Sequence, residues 1–164
     1  MSQDVRPSQG AQYGAPGEVA EVVLDRQHTA AVRARIPVDD LADFLEQAFS
    51  RVEVVTDAMG VATAGPPYAR LVLAGDALEV EAGYPVDRRI TSAHGVVASD
   101  LPGGRAASVT HVGSFDEAAE AYDEVERWLR LKGYVRECDP WEVYVDEPGT
   151  GAARTIIRLP YLVP

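Results

Sequence analysis

Apolar and polar residues along this chain follow two rhythms, one of period two and one near 3.6. Ala30, Val32, Ala34 and Ile36 alternate with Arg33 and Arg35, the mark of a half-buried strand, and Val19 to Leu24 reads as a strand before it. Pro37 ends the strand and Asp39 or Asp40 is placed to cap a helix. Leu41, Phe44, Leu45, Ala48 and Val52 then recur at helical spacing as one apolar stripe. Strands follow over 68–73 and 78–84, joined by the turn Ala74-Gly75-Asp76-Ala77. In the second of them Leu78, Val80, Ala82 and Tyr84 share one face, and Glu79 and Glu81 the other.

The same order then returns. Residues 95–99 and 106–112 read as strands joined across Pro102-Gly103-Gly104. Ser114 and Glu117 have capping-box spacing, Ala118, Tyr122, Val125 and Leu129 form a buried stripe, and Gly133 supplies a left-handed stop. Residues 141–145 and 155–159 are the last strands, linked by residues 147–151. Both units read strand, strand, helix, strand, strand, with approximate limits 18–90 and 91–164. Residues 1–17, rich in Gln, Ser, Gly and Pro and without periodicity, read as a disordered tail.

Composition narrows the function. The chain has 164 residues and a formal net charge of −11, enough for one well-packed domain and unsuited to phosphate backbones. Direct nucleic-acid binding is not expected, and approach of cations is favoured. A single cysteine, Cys138, forbids an intrachain disulfide. His28, His94 and His111 are dispersed, so no metal or other cofactor is expected. Neither a spanning apolar run nor a leader pattern is visible, and the protein reads as cytoplasmic, without a membrane partner.

The candidate chemistry gathers on the Pro-aromatic strand entries Asp139-Pro140-Trp141-Glu142-Val143-Tyr144 and Gly65-Pro66-Pro67-Tyr68. If Val143 and Val145, like Leu71 and Leu73, face the helix of their own unit, the opposite faces carry Glu142 and Tyr144 in one unit and Tyr68, Arg70 and Val72 in the other. Tyr68, Glu142 and Tyr144 would then line one cleft. Glu142 against aromatic rings suits a ligand cation or, with its pKa raised by burial, general acid–base work; the plainer reading is a solvated strand carboxylate. Tyr84 reads first as core and then as a stacking surface, Trp141 as a core or rim anchor, and His111 as a hydrogen-bonding residue of a strand-to-helix turn.

Six segments in order, Thr29 to Arg33, Gly65 to Tyr68, Glu81 to Val86, Leu101 to Ala106, His111 to Asp116 and Pro140 to Tyr144, resemble the GyrI-like small-molecule-binding domains, which also serve as effector-binding domains of bacterial transcription activators. The resemblance implies an α+β fold of duplicated β-α-β-β units, one helix each, whose antiparallel sheets surround a ligand cleft. It makes Glu142 the acidic residue of that cleft, lined by Tyr68 and Tyr144, with Tyr84, Trp141 and His111 as further ligand-binding candidates. Members similar to this chain are sensors of bulky aromatic cations, inhibitors of DNA gyrase, and hydrolases that open the cyclopropane of DNA-alkylating natural products. Ser114-Phe115 stands where the family often has Pro-Tyr. The expected function is therefore a stand-alone binder of hydrophobic or cationic aromatic molecules. The alternatives are a hydrolase using Glu142 with Tyr68 or Tyr144, and a gyrase-directed protein partner.

Overall fold

Period-two segments become strands and 3.6-period segments become helices in the computed structural model, which describes residues 15–113, 118–146 and 153–164. The first half comprises β1 (Ala20–Leu24), β2 (Gln27–Pro37), α1 (Leu41–Met59), β3 (Tyr68–Ala74) and β4 (Ala77–Pro85). The second comprises β5 (Val97–Leu101), β6 (Gly104–Val112), α2 (Ala119–Lys132), a two-residue β7 (Val135–Arg136), β8 (Trp141–Tyr144) and β9 (Arg154–Leu162).

The chain enters α1 through a 3-10 turn, Val38–Asp40, whose Val38 carbonyl accepts the Leu41 N–H. Asp40 occupies the N-cap position, but its side chain makes no capping hydrogen bond. The expected aspartate cap is thus replaced by the turn's own backbone bond. Both helices end on a left-handed glycine, Gly60 (φ 70°) and Gly133 (φ 71°), a conformation that costs glycine little. The expected capping box Ser114–Glu117 and the 147–151 link lie outside the described residues, as does most of the expected tail. That tail's end is tied down: Pro16 bridges to Thr110, and the Gly17 N–H donates to the Thr110 carbonyl at 3.0 Å.

All strands pair antiparallel, in the order β1-β6-β9-β8-β3-β4-β2-β5, with β7 added against β9. The fold is α+β: one curled antiparallel sheet and two helices. The curl follows from connectivity. β1 opens the order and β2 stands next to its far end, yet only Asp25 and Arg26 join them. Likewise β5 and β6 are joined only by Pro102 and Gly103. The two links touch: a Cβ on Gly103 would lie 2.7 Å from the Arg26 nitrogen. Across the inside, the Arg70 guanidinium of β3 passes two strands to reach the Asp100 carbonyl of β5 at 2.6 Å.

Each half also lends the other its outermost strand. β1 is held by β6, and β5 by β2, while β3 and β8 join the halves at the centre.

Helices cover the outer face. Val125 and Leu129 of α2 pack on Val109, Ile157 and Leu159. Leu45 and Ala48 of α1 pack on Ala69, Val80 and Ala82, and Val52 and Val55 on Ala30 and Val96. On the inner face Leu24 and Leu101, from strands near opposite ends of the order, join Tyr68, Trp141, Val143 and Ile156 in one cluster. Both faces of β8 are therefore covered. No helix among the described residues is long and apolar enough to cross a membrane.

Candidate functional site

β8 is central, short and buried at all four positions, Trp141 to Tyr144. Its register decides which residues meet. Tyr68 stands opposite Val143, so Glu142 stands opposite Ala69, and Arg70 opposite Trp141. Side chains alternate across a strand, which puts Glu142 and Tyr144 on the outer, helix-covered face with Ala69. Val143 and Trp141 share the inner face with Tyr68. The expected facing of β8 is thus reversed by one residue: Val143 turns away from the helices, Glu142 turns toward them, and Tyr68 is separated from Glu142 by the sheet.

Glu142 is 2% exposed. Its two oxygens accept one phenol each: Tyr122 of α2 donates to Oε1 at 2.6 Å, and Tyr144 of β8 to Oε2 at 2.6 Å. Burial first, and the Glu142 carboxyl second, hold both phenol pKa values well above the ordinary tyrosine range. Both hydroxyls keep their protons and act as donors at neutral pH. Among the described residues no arginine, lysine or histidine lies within ion-pair distance of Glu142.

Aromatic contacts extend this site toward α1. Phe49 of α1 lies 5.9 Å from the Tyr144 ring and 5.8 Å, edge to face, from Tyr84 of β4. The Tyr84 hydroxyl donates to Glu53 of α1 at 2.6 Å. Burial, reinforced by Glu53, raises the Tyr84 pKa. The Tyr144 backbone N–H meets the Pro67 carbonyl at 2.9 Å, which locks the first Pro-aromatic entry onto the second. A line of groups, Glu142, Tyr144, Phe49, Tyr84 and Glu53, therefore runs between α2 and α1 with a carboxylate at each end.

The other expected residues lie elsewhere. Tyr68 is fully buried on the inner face; its hydroxyl donates to Glu81 at 2.9 Å and sits 2.9 Å from the Thr29 hydroxyl. Trp141 lies beneath the Arg70 guanidinium, 5.9 Å from ring centre to carbon. His111 belongs to β6 itself, ahead of the expected turn, and lines a separate cavity with Pro16, Gly17 and Glu120. Tyr122 and Phe49 were not among the sequence candidates. The signal for Tyr122 was a phenol on a buried helical stripe, whose hydroxyl required a partner; Phe49 gave none beyond helix periodicity.

The family model for the GyrI-like small molecule binding domain matches residues 68–162. The C-terminal domain of EcmrR superposes with a TM-score of 0.76 at 19% identity, covering 90% of this chain and 98% of that one. EcmrR in its DNA complex gives 0.77 at 18% identity over 88% of this chain, which spans only 57% of that chain's length. A hydrolase from Listeria innocua gives 0.68 at 14% identity, covering 93% of this chain and 95% of that one. SAV2435 bound to tetraphenylphosphonium gives 0.61 at 14% identity, covering 88% and 94%. These identities speak for the fold alone. No curated protein matches the sequence.

Proposed function

Because the chain belongs to the GyrI-like small molecule binding domain family, we propose that it binds a hydrophobic aromatic cation against Glu142, between α1 and α2. The observation that carries this reading is a buried carboxylate whose partners among the described residues are two phenols. A buried carboxylate is costly unless a cation or several donors meet it, and a ligand cation supplies what the chain's own arginines do not. Tyr144, Phe49 and Tyr84 present ring faces and edges to a flat ligand, and the electron-rich faces add to the attraction. Tyr122 is half-buried, and in this reading its rotation admits the ligand to Glu142. An apolar site with few polar anchors accepts a range of shapes.

Tetraphenylphosphonium, the cation bound by the similarly folded SAV2435, and a planar cationic dye are the probes. Wild type binds both; Glu142→Gln weakens binding about tenfold or more, the worth of one charge-assisted contact. A neutral aromatic of similar shape binds both proteins alike. Equal cation affinity in the two proteins would sink the charge pairing.

A second reading rests on the protonated phenols at both Glu142 oxygens. In it, water adds to a cyclopropane conjugated to a carbonyl. The water oxygen bonds the electrophilic ring carbon as the ring C–C bond breaks, Glu142 takes the water proton, and Tyr122 or Tyr144 protonates the carbonyl oxygen. Mass detection of a water adduct in wild type but not Glu142→Gln supports hydrolysis; no excess over buffer removes it for that substrate.

A further inference from the structure

The inner face of the sheet carries a second cavity, of about 420 Å³, lined by Arg33, Arg35, Arg70, Glu79, Glu81 and Val72. Cross-strand register explains its composition. Arg33 stands opposite Glu81, and Glu81 opposite Arg70; Arg35 stands opposite Glu79, and Glu79 opposite Val72. Three guanidiniums thus face two carboxylates, in a chain whose net charge is −11. The local sign is opposite to that of the whole.

Glu81 turns its oxygens to donors other than Arg70. Its Oε1 accepts Arg33 Nε at 2.9 Å and the Ser99 hydroxyl at 2.8 Å, and its Oε2 accepts the Tyr68 hydroxyl at 2.9 Å. Arg70 Nε stands 3.7 Å from Oε2, beyond hydrogen-bond reach, and is a buried donor with no acceptor. Next in the same cross-strand row, Trp141 Nε1 is another buried donor with no acceptor, in a residue 1% exposed. Buried donors left unmet are costly, and a guanidinium's fork matches a planar or tetrahedral oxyanion.

We propose that this inner-face cavity is a binding site for a small organic oxyanion, a carboxylate or phosphate monoester, held by Arg70 with Arg33 and Arg35 around it. Val72 and the aliphatic arms of the arginines give its organic part an apolar wall. The site is on the opposite face from Glu142 and does not depend on the cation reading.

The test follows the indole N–H resonance of Trp141 by NMR during titration with benzoate and, separately, phenyl phosphate at constant ionic strength. In wild type that resonance moves and saturates with one or both anions, and the responding anion identifies the carboxylate or the phosphate class. Arg70→Gln abolishes the saturable shift. Arg35→Gln alters an exposed side chain tied, among the described residues, to Glu79 and the Ala74 carbonyl alone, so it preserves the fold; it raises the midpoint about tenfold, the worth of one charge-assisted contact. Glu142→Gln weakens binding of the cationic probes and keeps the anion midpoint. No saturable movement with either anion, an unchanged midpoint in Arg35→Gln, or loss of anion binding in Glu142→Gln would each overturn the site.

Discussion

Glu142 and Glu81 are both buried strand carboxylates held by tyrosine hydroxyls, one on each face of the same sheet. They differ in what neutralises them. Glu81 has Arg33 at 2.9 Å and Arg70 at 3.7 Å, so its charge is answered within the chain, and it ties β2, β3, β4 and β5 together through Arg33, Tyr68 and Ser99. Glu142 has two phenols and no cation among the described residues. The first arrangement serves the fold. The second leaves electrostatic demand unspent, which is what a binding site for a cation requires.

The comparison predicts opposite responses to one chemical change. Glu81→Gln lowers unfolding free energy by about 2–3 kcal/mol, because Arg33 and Arg70 lose their counter-charge in a partly buried setting; urea unfolding measures it, and an unchanged midpoint would make Glu81 a bystander. Tyr144→Phe costs about 2 kcal/mol, since it strips a buried carboxylate oxygen of its donor, while Tyr68→Phe costs about 1 kcal/mol because Arg33 and Ser99 still serve Glu81. Equal losses would erase the distinction. Glu142→Gln raises stability by about 1 kcal/mol while weakening cation binding, the trade expected where a site is kept at some cost to the fold; a fall in melting temperature would contradict it.

The smallest effect is alkaline. Tyr68, Tyr122 and Tyr144 have raised pKa values, each first by burial and then by its carboxylate neighbour. Above about pH 10 the unfolded chain releases tyrosine protons that the native state retains, so stability falls as pH rises from there. Tyr122→Phe flattens that fall. Phenolate absorbance for these residues coincides with unfolding measured by circular dichroism; phenolate appearing while the fold persists would contradict the donor roles of Tyr122 and Tyr144.

Most of the scaffold was legible in the residues. The alternation on β4 correctly set Leu78, Val80, Ala82 and Tyr84 against Glu79 and Glu81. The stop at Gly133 was equally plain. What failed was the facing of β8, and the reason is physical. Alternation reveals a buried face only when the other face is wet, and β8 is covered on one side by helices and on the other by the curled sheet. An apolar Val143 and a charged Glu142 then carry no directional signal, and expecting the valine to seek the helix put the carboxylate on the wrong side. Tyr84 was readable as core, yet its hydroxyl bond to Glu53 depends on a helix-to-sheet approach that spacing alone does not encode.

The exchange of outermost strands between the halves bears on how the chain reaches its fold. During synthesis β1 waits for β6, since Ala20 finds its partner only at Ser108, and β2 keeps a bare edge until β5 emerges. So many pairings between distant segments place folding in the slow range of small domains, of order milliseconds to seconds. A chain cut between β4 and β5 yields two fragments with open strand edges, each prone to self-association alone and complementary to the other when mixed.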